Sequence, residues 1–183
     1  TEAITGLDLV REQIRIAEGE ALSFKQEDLS ICGHAIEARL YAEDPENNFL
    51  PSPGKLLAWQ VPTPVTAANS NPNEIGTRID SGVETGCEVN MNFDPMLAKF
   101  IAHAATRREA IIRLSRLLER TRIQGITNNR DFLVATLRTP EFISGATTTD
   151  FIEKVNPARK RELSKKECIE AGIAVVMEAQ AQQ

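Results

Sequence analysis

The sequence predicts an α+β fold: an antiparallel β-sheet with packed C-terminal helices, preceded by a helical segment. Three observations carry that expectation. From about Ala21 to His103 the chain runs in short alternating or apolar stretches broken by Pro, Gly and Asn, as antiparallel strands and hairpins do. From Thr106 apolar residues recur at helical spacing. Ahead of both, "TEAITGLDLVREQIRIAEGE" reads as a helix.

In chain order, Thr5 is expected to cap the first helix, with Asp8 in its first turn and Gly19 placed to stop it. With no start methionine, this opening reads as a piece of a longer protein. "GHAIEARLYAED", Gly33 to Asp44, alternates as a strand. Ile36, Ala38, Leu40 and Ala42 should face the core, and Ala35, Glu37, Arg39 and Tyr41 the other side. "GKLLAWQVP", "GTRIDSGVETG" and "AKFIAHAAT" supply further strands, and Gly82 and Gly86 turns between short ones. Pro64 to Gly76 is polar and turn-rich and reads as an exposed loop.

"TRREAIIRLSRLLERTRI" opens with a capping box, Thr106 with Glu109. Its apolar stripe is Ala110, Ile111, Leu114, Leu117 and Leu118. A second helix is expected from about Asn129 to Leu137, capped by Asn128 and ended before Pro140. "TTTDFIEK" begins a third, short one. After the charged break "VNPARKRE", Ser164 and Glu167 open a last helix with Ile169, Ile173, Val176 and Met177 on its apolar side. A minor boundary is expected near Asn156, beyond which 157–183 reads as a linker and a helix leaving the compact part.

Composition excludes several classes. With 21 basic and 26 acidic residues the net charge is −5, against the basic excess that phosphate neutralisation needs, so no nucleic-acid partner is expected. No apolar run approaches the ~20 residues that span a bilayer, and no membrane partner is expected. Cys32, Cys87 and Cys168 are odd in number and lack C-x-x-C spacing. With only His34 and His103 besides, a Cys/His metal site is not expected, and unpaired thiols fit a reducing interior.

Glu37 and Arg39 have two readings. Charges alternating with core are the ordinary wet side of an antiparallel sheet. Alternatively Arg39 presents a fixed, always-protonated fork to an anion or a developing oxyanion. His34 reads as structural, having no partner in sequence to tune it as a base. Asp94, just before a proline in "FDPMLAK", reads as a turn anchor or as an acid that orients an arginine. "FLPSPGK" is not a phosphate loop: Phe49 stands where the first glycine belongs, and Leu56 follows the lysine. The basic "ARKRE" run reads as a solvated linker.

Five segments in order, "GHAIEARLYAEDP", "FLPSPGKL", "RIDSGVETG", "FDPMLAK" and "ITNNRDFL", closely resemble the C-terminal part of the biotin carboxylase family, from Thr1 to about Asn156. "TEAITGLDL" resembles the end of that family's ATP-grasp domain, so residues 1–30 would be its final segment and 31–156 the C-terminal domain. The resemblance implies a two-step reaction in which ATP and bicarbonate give carboxyphosphate, whose carbon dioxide passes to N1 of the biotin ureido ring. It implies that Arg39, the arginine of E-x-R, is catalytic, contacting bicarbonate and the negative ureido oxygen. It implies a weaker assignment for Thr149, in "GATTTDFIEK", beside the adenine pocket. The metal-binding and general-base glutamates lie upstream of Thr1 in the family pattern, so Mg²⁺ or Mn²⁺ would be bound outside this chain, and the chain alone should be inactive.

"ITNNRDFL", "TPEFISG", "TTTDFIEK" and the tail "LSKKECIEAGIAVVMEAQ" look most like the biotin-containing α subunit of acyl-CoA carboxylases of the propionyl- or methylcrotonyl-CoA type. Pyruvate carboxylases resemble the chain less, and urea carboxylase is the alternative. Partners implied are the enzyme's own ATP-grasp and N-terminal domains, a biotin carboxyl carrier domain, a second copy in a homodimer or larger assembly, and a carboxyltransferase β subunit. The location implied is the bacterial cytoplasm or mitochondrial matrix. A different class of function, an assembly module whose sheet or helices form a subunit interface, also fits the residues.

Overall fold

The alternating stretch forms β1 (His34–Tyr41) in the computed structural model, which describes residues 1–63 and 76–181. Ile36, Ala38 and Leu40 are buried, as is Ala42 just beyond, while His34, Glu37 and Arg39 are exposed. Six short strands follow: β2 (Glu43–Asp44), β3 (Leu50–Pro51), β4 (Gly54–Lys55), β5 (Ala58–Gln60), β6 (Gly76–Ser81) and β7 (Glu88–Val89). After them come the long β8 (Met96–Ala104) and the short β9 (Arg122–Gln124). The central sheet is antiparallel in the order β1-β8-β6, so β1 is one of its edges. Its register sets Arg39 opposite Lys99 and Lys99 opposite Asp80, and in the next outward-facing row Glu37, Ile101 and Arg78. Between Leu40 and Tyr41 the pairing with β8 shifts.

The core lies between this sheet and α3 (Arg107–Arg120). The capping box forms as expected: Glu109 N–H donates to Thr106 Oγ1 and Thr106 N–H to the Glu109 carboxylate. The helix then buries the expected stripe, Leu114 and Leu118 completely, against Leu40, Leu97 and Phe100. Burying side chains of this size contributes roughly 1.5–3 kcal/mol each. An exposed ion pair contributes only about 0–1 kcal/mol, so the charged outer side of β1 is not what holds the sheet together.

Several boundaries differ from the sequence expectation. The first helix is two helices, α1 (Glu2–Thr5) and α2 (Leu9–Ala17), divided at Gly6, whose φ is 74°. Asp8 is the cap of α2, its carboxylate accepting from Arg11 N–H at 2.9 Å, and Thr5 ends α1 instead of capping. The one buried residue of α2 is charged: Glu12 accepts from Ser23 Oγ at 2.7 Å and Ser23 N–H at 3.1 Å. Val10, Ile14 and Ile16 are exposed.

α3 stops at Arg120, where Thr121 turns extended, and residues 122–124 become β9, paired with β5. "GKLLAWQVP" is two strands rather than one, because β4 pairs with β7 and β5 with β9. Gly76 opens β6, and the rest of the Pro64 to Gly76 loop lies outside the described residues. α4 (Arg130–Leu137) begins one residue later than expected. Pro140 starts α5 (Pro140–Ser144) with Thr139 as its cap, because proline is preorganised for a first helical position. α6 (Phe151–Val155) follows. α7 (Lys165–Ala181) carries the Ser164–Glu167 box, with Ile169 and Ile173 exposed. The side chains of Val176 and Met177 lie outside the described ones.

The "ARKRE" run is not a solvated linker at its start. Pro157 is buried. Arg159 Nη1 donates to Pro45 O at 2.9 Å and its guanidinium lies 5.1 Å from the Phe49 ring centroid. Lys160 pairs with Glu46 at 3.0 Å. Residues 157–160 thus fold back onto the turn that follows β2.

Candidate functional site

Arg39 stands on the outward face of β1 because the alternation that buries Ala38 and Leu40 leaves it no other side. Its Nε donates to Glu37 Oε1 at 2.9 Å, and 59% of its side chain remains exposed. The hydrogen bond to Glu37, and then the phenol of Tyr41, hold the Arg39 pKa above its already high ordinary value. The guanidinium is therefore a permanent cation, held by Glu37 and the Tyr41 phenol, with more than half of its side chain open to solvent. That is the donor set an oxyanion or bicarbonate needs.

On the same face, Lys99 sits between Arg39 and Asp80 in register, and Asp80 is ion-paired to Arg78 at 2.7 Å. The strand therefore brings Glu37, Arg39 and Tyr41 together and sets Lys99 beside them. The structure does not extend this cluster to the other candidates. Asp94 accepts from Met96 N–H at 2.9 Å, which makes it a turn anchor. Asp94 also acts on Glu43, whose carboxyl burial first, and Asp94 second, push above the ordinary value. His34 is exposed at the start of β1, and Thr149 is exposed in the turn before α6. The three cysteines are free.

One residue at this site escapes a reading of the sequence. Asn129, expected inside α4, is instead a buried residue at the head of that helix whose amide reaches β1. Its Oδ1 accepts from Tyr41 N–H at 2.9 Å and its Nδ2 donates to Arg39 O at 3.3 Å. Its own N–H donates to Tyr41 O at 3.2 Å. The doubled asparagine is the sequence signal, since Asn128 already supplies the local bond, accepting from Arg130 N–H at 3.2 Å.

The model of the family described as "Biotin carboxylase C-terminal domain" matches residues 37–154, a span that begins at Glu37 and covers well over half of the chain. The chain belongs to the biotin carboxylase C-terminal domain family. Among curated relatives, the alpha chain of the mitochondrial methylcrotonoyl-CoA carboxylase of Mus musculus is 43% identical over 152 residues, 83% of this chain and 20% of the relative. The propionyl-CoA carboxylase alpha chain of Ruegeria pomeroyi is 42% identical over 86% of this chain and 24% of the relative. Biotin carboxylase 2 of Bacillus subtilis is 42% identical over 84% of this chain and 32% of the relative. The chain thus spans from a fifth to a third of the length of these relatives.

Among solved structures, the biotin carboxylase subunit of a pyruvate carboxylase superposes with a TM-score of 0.77 at 35% identity, covering 88% of this chain and 34% of that one. The biotin carboxylase domain of a thermophilic 2-oxoglutarate carboxylase, bound to bicarbonate, gives 0.77 at 32% identity, with the same coverages of 88% and 34%. The expected α+β fold with its antiparallel sheet is the fold of these biotin carboxylase domains.

Proposed function

We propose that this chain works as the C-terminal part of the biotin carboxylase component of an acyl-CoA carboxylase, in ATP- and bicarbonate-dependent carboxylation of carrier-bound biotin. The observation that carries the proposal is Arg39: a permanent cation, oriented by Glu37 and open to solvent, standing in the run E-x-R-x-x-A-E-D-P. Arg39 holds bicarbonate and meets the negative charge that develops on the acceptor's ureido oxygen. A rigid fork that is already charged stabilises such an oxygen without reorganising when the charge appears. ATP and its Mg²⁺ or Mn²⁺ supply the activation of bicarbonate, and in this reading they are held by ATP-grasp residues outside 1–183, with Thr149 at most near the adenine. A bicarbonate-bound neighbour and another holding MgADP and bicarbonate, in a biotin carboxylase domain dimer, support this cofactor set.

The test is made in the longer carboxylase polypeptide. Arg39→Ala and Arg39→Lys should lower the rate of biotin carboxylation about 10²–10³-fold, the usual effect of losing one oxyanion partner, while the KM for ATP holds. Wild-type carboxylation by both variants would overturn the assignment. The chain of 183 residues alone should neither hydrolyse ATP nor carboxylate free biotin, and biotin-dependent ATP hydrolysis by it would overturn that.

The acyl-CoA preference is supported by methylcrotonoyl-CoA and propionyl-CoA carboxylase relatives at 39–43% identity, a range whose lower end a pyruvate carboxylase relative from Methanothermobacter thermautotrophicus reaches at 39%. Comparing turnover with propionyl-CoA, 3-methylcrotonyl-CoA, pyruvate and urea decides it. An assembly role fits the exposed outer sheet face with its Arg78–Asp80 pair. A stable dimer of this chain in light scattering would support that role alongside Arg39.

A further inference from the structure

We propose that Asn129 is the positioning residue that aims Arg39, an inference that rests on the reading of Arg39 given above. β1 is an edge strand with β8 on one side only. In a strand, the backbone groups of residues i and i+2 face the same edge. Arg39 O, Tyr41 N–H and Tyr41 O therefore form one row on the edge of β1 that β8 does not occupy. A row of this kind needs partners, because unpaired backbone groups that lose water are destabilising.

Asn129 supplies all three partners. Its Nδ2 donates to Arg39 O at 3.3 Å, its Oδ1 accepts from Tyr41 N–H at 2.9 Å, and its backbone N–H donates to Tyr41 O at 3.2 Å. A primary amide carries both donors and an acceptor on adjacent atoms, so one side chain can serve a C=O and an N–H of the row at once. Asn129 is 6% exposed, so water competes little for these bonds. Their place along the strand matters. Pairing with β8 runs regularly from His34 to Leu40 and shifts between Leu40 and Tyr41. The far side of β1 is secured where the near side becomes irregular, on the two peptides that bracket Leu40, the first of which adjoins the Cα of Arg39.

Asn129 is itself anchored. Its C=O accepts from Leu133 N–H at 3.0 Å in the first turn of α4. The next residue, Arg130, donates to Thr121 O at 2.9 Å and pairs with Asp131. The rigid junction of α3 and α4 thus sets where the backbone of Arg39 sits, and Glu37 sets where its side chain points. A guanidinium displaced by an ångström from its anion loses much of its effect, since misplacement on that scale lowers rates by about 10²-fold.

The experiment is a double-mutant cycle in the longer carboxylase polypeptide, with biotin carboxylation and the KM for ATP measured for wild type, Asn129→Ala, Arg39→Ala and the double variant. Asn129→Ala should lower kcat for carboxylation about 10- to 100-fold, leave the KM for ATP within about twofold, and add no further loss in the Arg39→Ala background. The Tyr41 amide should exchange at least about tenfold faster in Asn129→Ala while the Ala38 amide keeps its protection. Should the alanine variant fold poorly, Asn129→Asp carries the same cycle, keeping the acceptor for Tyr41 N–H and removing the donor to Arg39 O. An unchanged kcat, the same fold loss with and without Arg39, or a Tyr41 amide that stays protected would each overturn the role of Asn129 while leaving Arg39 in place. If Arg39→Ala itself keeps wild-type carboxylation, the reading of Arg39 falls first and the proposal with it.

Discussion

Replacing Gly33 by alanine separates two effects that glycine substitutions usually mix. Gly33 immediately precedes β1 with φ +70°, and a Cβ there would lie 2.4 Å from Ala104 O and 2.8 Å from His103 Nε2. The left-handed backbone alone costs an alanine about 1–2 kcal/mol. The contact with Ala104 O is with backbone at the end of β8, paired to His34, so relief requires the two strand ends to part. Parting them also endangers the 3.0 Å hydrogen bond between His103 Nε2 and Cys32 O, worth about 1 kcal/mol net and more where burial leaves a partner unsatisfied. Together these give a loss of roughly 2–5 kcal/mol. Gly86→Ala is the control: φ is +94° there and nothing lies within 4 Å of the added Cβ, so only the backbone effect of about 1–2 kcal/mol should appear. Urea unfolding of the two variants, compared at equal m, measures the difference. A gap between them of less than about 1 kcal/mol would refute the steric account, leaving only the backbone preference they share.

Thr106→Ala removes the cap of α3 and should cost about 1 kcal/mol in the same assay, with Thr106→Ser restoring most of it. Arg159→Ala removes the bond to Pro45 O and the contact with the Phe49 ring. It should speed hydrogen exchange and proteolysis in the segment from Pro157 onward while leaving the unfolding midpoint nearly unchanged. The Ser23 hydroxyl first, and the Ser23 amide second, hold the Glu12 carboxyl below its ordinary value of 4.5. A carboxylate with a depressed folded pKa stabilises above the unfolded value and loses that contribution as pH falls through the folded one. The amides of α2 should accordingly lose protection on acidification below about 4.5, before those of α3, and Glu12→Gln should remove the pH dependence.

Where a short-range rule decides the structure, the residues are readable in advance. The two-residue alternation of β1 and the Thr106–Glu109 box with its stripe both appear where the sequence places them. The errors fall where one residue serves two local rules. Pro140 does end α4, which stops at Leu137 as expected, but it also begins α5, which the sequence reading does not place, because the same fixed φ that stops one helix starts another. Asp8 and Thr5 could each cap a helix, and the left-handed turn at Gly6 decides between them.

Which residues are long-range partners is not legible, even where a signal such as the doubled asparagine marks one of them. The amide of Asn129 meets β1 across 88 and 90 residues of sequence, and Arg159 meets Pro45 across 114. No local period encodes such pairings. At the site, the outward aim of Arg39 follows from alternation, and its pairing with Glu37 from i, i+2 spacing on one strand face. That Asp94 is a turn anchor is one of two open readings, and the 2.9 Å bond from Met96 N–H selects it.

The strap of residues 157–160 also fixes a pivot. Had these residues left α6 freely, α7 would swing about Asn156 with up to ~14 Å of extended chain as a lever arm. Because Arg159 and Lys160 are fastened to Pro45 and Glu46, the swing is centred on the turn beyond β2, and that slack is gone. Arg159 also lies over Phe49, whose ring stands edge-on to Phe132 of α4 with centroids 5.0 Å apart. α4 is the helix that Asn129 heads, so an unbroken chain of contacts joins residues 157–160 to the strand of Arg39 through two aromatic rings and one amide.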